Sequence, residues 1–145
     1  MIPELLSPAG APESLLAAAA AGADAVYFGG NAFSNRMRAR NFDDAELTEA
    51  LTQCRIWGVR TYVTVNTRVE AGEMDAVLAL VDRLCMGGVY GFIVADCGIA
   101  REIHRRYPTV PLHASTQMTL MTRTDRWRRS CSVTAHTAYP CPDSA

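Results

Sequence analysis

Residues 60–96 read RTYVTVNTRVEAGEMDAVLALVDRLCMGGVYGFIVAD. The run from Arg60 to Val65 is rich in β-branched residues and predicts a strand. Met74, Val77, Leu78, Val81 and Cys85 then recur at helical spacing, so a helix over about Glu73 to Met86 buries one face. Gly87 and Gly88 stop it. Gly91 to Ala95 is a second apolar run, and it leads to Asp96. Two short strands joined by one amphipathic helix form a βαβ unit, whose strands pair in parallel.

The same pattern continues on both sides. Upstream, Glu4 to Ser7 predicts a strand closed by Pro8-Ala9-Gly10. A helix starts near Pro12, where proline suits the first turn, and runs to Gly22. Ala25 to Phe28 predicts the next strand, ending at Gly29-Gly30. A long polar loop, Asn31 to Phe42, carries Arg36, Arg38 and Arg40. Asp43 and Glu46 have capping-box spacing, and Leu47, Ala50, Leu51, Cys54 and Trp57 mark the buried face of the helix that Gly58 ends. Downstream, a shorter helix over Ile99 to Tyr107 stops before Pro108, and a fifth strand is expected from Val110 to about Gln117.

Four βα units and one further strand predict an α/β fold, a partial (β/α) TIM-type barrel over residues 1–118 that forms the N-terminal half of a catalytic domain. A complete barrel takes roughly 250 residues. An open doubly wound sheet is the competitor and would account for the length, but no G-x-G-x-x-G turn follows the first strand.

Residues 119–145 have a different character. They carry Arg123, Arg126, Arg128 and Arg129, many Ser and Thr, few aliphatic residues, and no helical or strand period. The arginines flanking Trp127 could be read as a nucleic-acid patch, but an irregular tail, disordered or produced by a frameshift, is the preferred expectation. All 14 basic residues of the chain are arginine, consistent with a GC-rich coding sequence.

The net charge of −1 offers no global attraction for nucleic acid or membrane. No apolar run reaches the roughly 20 residues of a membrane span, and the Met1-Ile2-Pro3-Glu4 start lacks the basic and apolar regions of a signal peptide. Five cysteines without regular spacing fit a reducing compartment, so a cytoplasmic location is expected.

Strand alternation points to the site. Leu112 and Ala114 suit the helix-covered face, which turns His113, Ser115 and Gln117 inward. Val63 and Val65 likewise leave Tyr62, Thr64 and Asn66 inside. Barrel enzymes place their chemistry at the C-terminal ends of the strands. The catalytic candidates are therefore Asp96, His113, Ser115 and Gln117, and the substrate-binding candidates are Gly10, Tyr27, Gly29, Arg36 and Asn66. Asp96 and His113, from neighbouring strands, are the pair that could share a proton or a metal, whereas a capping role for Asp96 is the bland alternative. Arg36 could hold an anionic group. Ser115 lacks a nucleophile elbow, so a serine-hydrolase reading is discounted. His104 is expected at the surface. Cys54 and Cys85 read as buried small hydrophobes, Cys97 as a loop thiol, and Cys131 and Cys141 lie in the tail. No metal-ligand spacing is present.

Five blocks carry a resemblance: Glu4-Leu-Leu-Ser-Pro-Ala-Gly10, Asp24-Ala-Val-Tyr-Phe-Gly29, Tyr62-Val-Thr-Val-Asn-Thr67, Ile93-Val-Ala-Asp96 and His113-Ala-Ser-Thr-Gln117. In this order they resemble the N-terminal portion of the peptidase U32 family, the collagenase-like proteases, over about residues 3–118. The resemblance implies a barrel catalytic domain and, by family name, a peptidase acting on protein or peptide. The alternative it implies is an iron–sulfur-dependent hydroxylase acting on RNA bases or the ubiquinone ring. The cluster cysteines of such relatives lie in a later part of their chains, so none of the five here carries over as a ligand. The physical signs of peptide hydrolysis are few: no triad, no zinc motif and no paired carboxylates stand out. On this reading the chain is a truncated, inactive fragment that self-associates through exposed strand edges.

Overall fold

The computed structural model describes residues 3–34, 41–118 and 133–134. Its elements alternate as the sequence predicts. They are β1 (Leu6–Pro8), α1 (Pro12–Ala20), β2 (Ala25–Gly29), α2 (Asp44–Trp57), β3 (Arg60–Val65), α3 (Met74–Met86), β4 (Gly91–Val94), α4 (Cys97–Arg106), β5 (Leu112–Ala114) and β6 (Val133–Thr134). Short 3-10 turns cover Ala71–Glu73 and Thr116–Met118.

The strands form one sheet in the order β1-β2-β3-β4-β5-β6, every neighbouring pair parallel. A doubly wound sheet reverses its strand order at a switch point. Here the order never reverses, so the architecture is of the (β/α) barrel type and the open-sheet competitor fails.

The register fixes the two faces of the sheet. Phe28, Val63, Phe92 and Leu112 lie side by side across β2 to β5. These residues, with Val26, Val65 and Val94, share one buried core with Leu15 of α1, Leu47 and Leu51 of α2, Val77 and Val81 of α3, and Ile99 and Ile103 of α4. Ala114 packs against the same core. The alternate residues Tyr27, Tyr62, Thr64, Ile93 and His113 point to the opposite face, which a closed barrel would enclose. Burying large aliphatic side chains under the helices stabilises the layer by about 1.5–3 kcal/mol each.

Local chemistry explains the element ends. Asp43 Oδ1 accepts from the Glu46 amide at 2.8 Å, and Glu46 Oε2 accepts from the Asp43 amide at 3.0 Å, the reciprocal cap expected for α2. Gly58 ends that helix at φ 72°. Asp82 ties α3 to α4 through Arg106 at 3.0 Å and the Tyr107 hydroxyl at 2.8 Å.

Several expectations need correction. β1 runs over Leu6–Pro8, two residues later than expected at its start. α4 begins at Cys97 rather than Ile99, because Asp96 caps it there. β5 ends at Ala114 and does not extend to Gln117. The Met118 amide donates to the Ser115 carbonyl at 3.0 Å, and the Gln117 amide reaches Ser115 Oγ at 3.4 Å, so the chain turns. Trp57, expected on the buried face of α2, is 38% exposed. The stretch 119–145 was expected to hold no strand, yet Val133–Thr134 pairs with Leu112–His113. Two residues are too few to display a period of two. The remaining residues of that stretch, and the proposed basic patch with them, lie outside the described residues.

Candidate functional site

Ser14 holds the turn after β1. Its Oγ accepts from the Gly10 and Ala11 amides, both at 2.9 Å, and donates to the Ala11 carbonyl at 2.8 Å. The Gly10 amide is therefore engaged in starting α1. Tyr27 lies mid-strand on the inner face, half-buried, and its carbonyl accepts from the Ala9 amide at 2.9 Å.

Gly29 has a packing reason. A Cβ there would collide with Ser34 and with Thr64 Oγ1, which share a hydrogen bond of 2.8 Å. Thr64 Oγ1 also donates to the Phe28 carbonyl at 3.2 Å. Asn66 follows β3, and its amide donates to the Phe33 carbonyl at 3.0 Å. Phe33 sits at φ 58°, a left-handed conformation that bulky residues rarely adopt. These contacts fasten the start of the β2–α2 loop to the C-terminal end of β3. Phe33 and Ser34 gave no signal in the sequence beyond lying in a polar loop. Arg36 lies outside the described residues.

Asp96 takes the capping role. Its Oδ1 accepts from the Gly98 amide at 2.7 Å and the Ile99 amide at 3.0 Å. His113 is level with Ile93 of β4, and Asp96 lies beyond the end of that strand at Val94. The Asp96 carboxylate thus engages the amides of its own helix, the capping role the sequence also allowed. Ser115 follows His113, its amide donating to the Val94 carbonyl at 2.8 Å, and Gln117 is exposed on the 3-10 turn. His104 is half-buried on α4.

His113 instead meets Tyr62. Their ring centroids are 4.7 Å apart at 82°, an edge-on contact, and the imidazole Nε2 is buried. Tyr62 is only 5% exposed. Burial, with the Glu4 carboxylate adding to it, pushes its phenol up to about 12. Tyr62 also meets Tyr90 edge-on at 5.4 Å. The Arg60 guanidinium lies 5.5 Å from the Tyr90 ring centroid and pairs with Glu4 at 3.3 Å. The inner face is thus floored, toward the strand starts, by an aromatic and ionic cluster. A concavity of about 490 Å³ between the ends of α1 and α2, lined by Leu16, Asp24 and Trp57 among others, lies at those strand starts too, away from the rim candidates.

The three described thiols, Cys54, Cys85 and Cys97, are not gathered as ligands of an iron–sulfur cluster. Burial pushes Cys54 and Cys85 up to about 11, in keeping with thiols that pack as small hydrophobic side chains. They sit on different helices, and Cys97 is exposed at the start of a third. No group of three or more His, Cys, Asp or Glu side chains could hold a metal ion among the described residues.

Sequential parallel strands, helices on one face and polar residues at the strand ends define a segment of a TIM-like (β/α) barrel. The model of peptidase family U32 matches residues 10–128, and the chain belongs to that family. It is 39% identical over 118 residues to the tRNA hydroxylation protein P1 of Bacillus subtilis (strain 168), covering 81% of this chain and 28% of that protein. It is 34% identical over 118 residues to the collagenase of Porphyromonas gingivalis, again 81% and 28%. It is 36% identical over 119 residues to the 23S rRNA 5-hydroxycytidine C2501 synthase of Escherichia coli (strain K12), covering 82% and 18%. The chain therefore spans well under a third of the length of these relatives. The solved structure of the U32 peptidase Mk0906 shares the fold at a TM-score of 0.68 and 13% identity, over 83% of this chain and 51% of that one. No described helix is long and apolar enough to cross a membrane.

Proposed function

We propose that this chain is the N-terminal barrel segment of an RNA-hydroxylation protein, with RNA as the substrate class and the cytoplasm as its location. The observation that carries this reading is the 39% identity to a tRNA hydroxylation protein, sustained over 81% of the chain. The likeness to a 23S rRNA 5-hydroxycytidine synthase over 82% of the chain supports the same class. In this reading Asp96 serves as the cap of α4, its carboxylate accepting from the Gly98 and Ile99 amides, and Ser115 holds the turn after β5. In this reading Tyr27, Asn66, His113 and Ser115 line the inner face and rim where a base would lie, with Gly10 and Gly29 shaping the loops around them.

The 34% identity to a collagenase favours a second reading, peptide hydrolysis. One experiment separates the two. Deleting the gene and analysing tRNA and rRNA nucleosides by mass spectrometry should show loss of a hydroxylated nucleoside, restored by the intact locus. An unchanged nucleoside profile, with gelatin cleaved by the purified protein, would establish the second reading instead.

A further inference from the structure

We propose that Tyr62, seated in a slot opened by Gly91, is a positioning residue that fixes the His113 imidazole on the inner face of the sheet. Tyr62 and His113 stand on β3 and β5, with β4 between them. Gly91 is level with Tyr62 in the register. A Cβ at Gly91 would come 2.8 Å from the Pro111 carbonyl oxygen and 3.1 Å from both Cδ1 and Cε1 of Tyr62. The missing side chain is what lets the phenol ring cross β4 and meet the imidazole at 4.7 Å. The ring is backed by Tyr90, edge-on at 5.4 Å. Tyr90 lies beneath the Arg60 guanidinium, and Glu4 holds Arg60 at 3.3 Å. A continuous line of contacts thus runs from the start of β1 to His113.

Edge-on aromatic contacts are directional, so this line selects one orientation of the imidazole rather than only filling space. The inference rests on the proposed function for what His113 does to a substrate; the positioning itself does not. Nuclear magnetic resonance on the full 145-residue chain tests it, with the His113 ring signals assigned by their disappearance in His113→Gln. The wild-type chain should give a cross-relaxation signal between the Tyr62 and His113 rings, with the His113 ring protons displaced from those of a solvated histidine. Tyr62→Phe should keep the displacement. Tyr62→Leu and Gly91→Ala should remove it while the chain still melts cooperatively. Two results would overturn the proposal: no cross-relaxation in the wild type, or unchanged His113 signals in folded Tyr62→Leu. Should the substituted chains not fold, the wild-type signal and Tyr62→Phe decide alone. Failure of the RNA reading would appear separately, as an unchanged nucleoside profile beside an intact Tyr62–His113 signal.

Discussion

Asp96 occupies a position where a rim acid and a helix cap are the same residue in the sequence. Only the second role has partners in the structure, the amides of Gly98 and Ile99. Asn caps helices as well as Asp does, whereas Ala does not. Asp96→Ala should therefore cost about 1 kcal/mol and Asp96→Asn only a few tenths, read from urea midpoints. Equal losses in both would show that the charge, not the cap, matters there. A second residue-scale prediction concerns pH. Cys54 rises from an ordinary 9.0 to about 11, and Tyr62 from 10.0 to about 12, both by burial. The folded chain keeps these protons after the unfolded chain has lost them, so unfolding releases protons between pH 9 and 12. Stability contributed by the neutral groups is full below pH 9 and is lost as pH rises through that window, on the order of 2–3 kcal/mol per group. Denaturant midpoints at pH 8, 10 and 11 should fall steadily, and Tyr62→Phe should flatten the decline above pH 10. The types and rough places of His113, Asn66 and Asp96 were legible from strand alternation. The Tyr62–His113 contact was not, because it depends on an absent side chain on the strand between them.

At the scale of elements, helices were the most legible. Each carries its own signals: Asp43 and Glu46 at one end of α2, Gly58 at the other, four buried positions between them. Gly58 lies at φ 72°, and a side chain there is strained even though open space surrounds it. Gly58→Ala should destabilise by about 1 kcal/mol, while Gly72→Ala, which also meets open space but needs no positive φ, should cost less. Thermal denaturation of the two variants side by side checks the difference; equal losses would mean that the backbone conformation at Gly58 contributes nothing special. Strand ends were less legible. Ser115 and Gln117 keep the strand's alternation in sequence, but hydrogen bonds back to Ser115 turn the chain after Ala114. Those bonds compete with the ladder, and no periodicity argument registers them.

For the whole molecule, the strand order was the missing quantity. A series of βα units is compatible with a barrel and with a doubly wound sheet until the neighbours of each strand are known. The sequential order decides for the barrel type and also, among the described residues, leaves β1 at an edge of the sheet. That edge is short and ends in Pro8, which has no amide to offer a new strand. Hydrogen bonding along it is therefore a weak source of association. The exposed apolar side chains along it are a stronger one: Leu6, in the strand itself, is 42% exposed and Leu5, just before it, 56%. A second copy can cover this surface without completing a long ladder. We accordingly expect the purified chain to self-associate, its weight-average mass in sedimentation equilibrium rising with concentration over the micromolar range. Leu6→Lys places a charge on the inner face at the edge and should shift the equilibrium toward monomer by tenfold or more, the equivalent of about 1.4 kcal/mol. A chain that stays monomeric through hundreds of micromolar, or a Leu6→Lys chain that associates as well as the parent, would mean that this apolar edge is not what copies of the chain use.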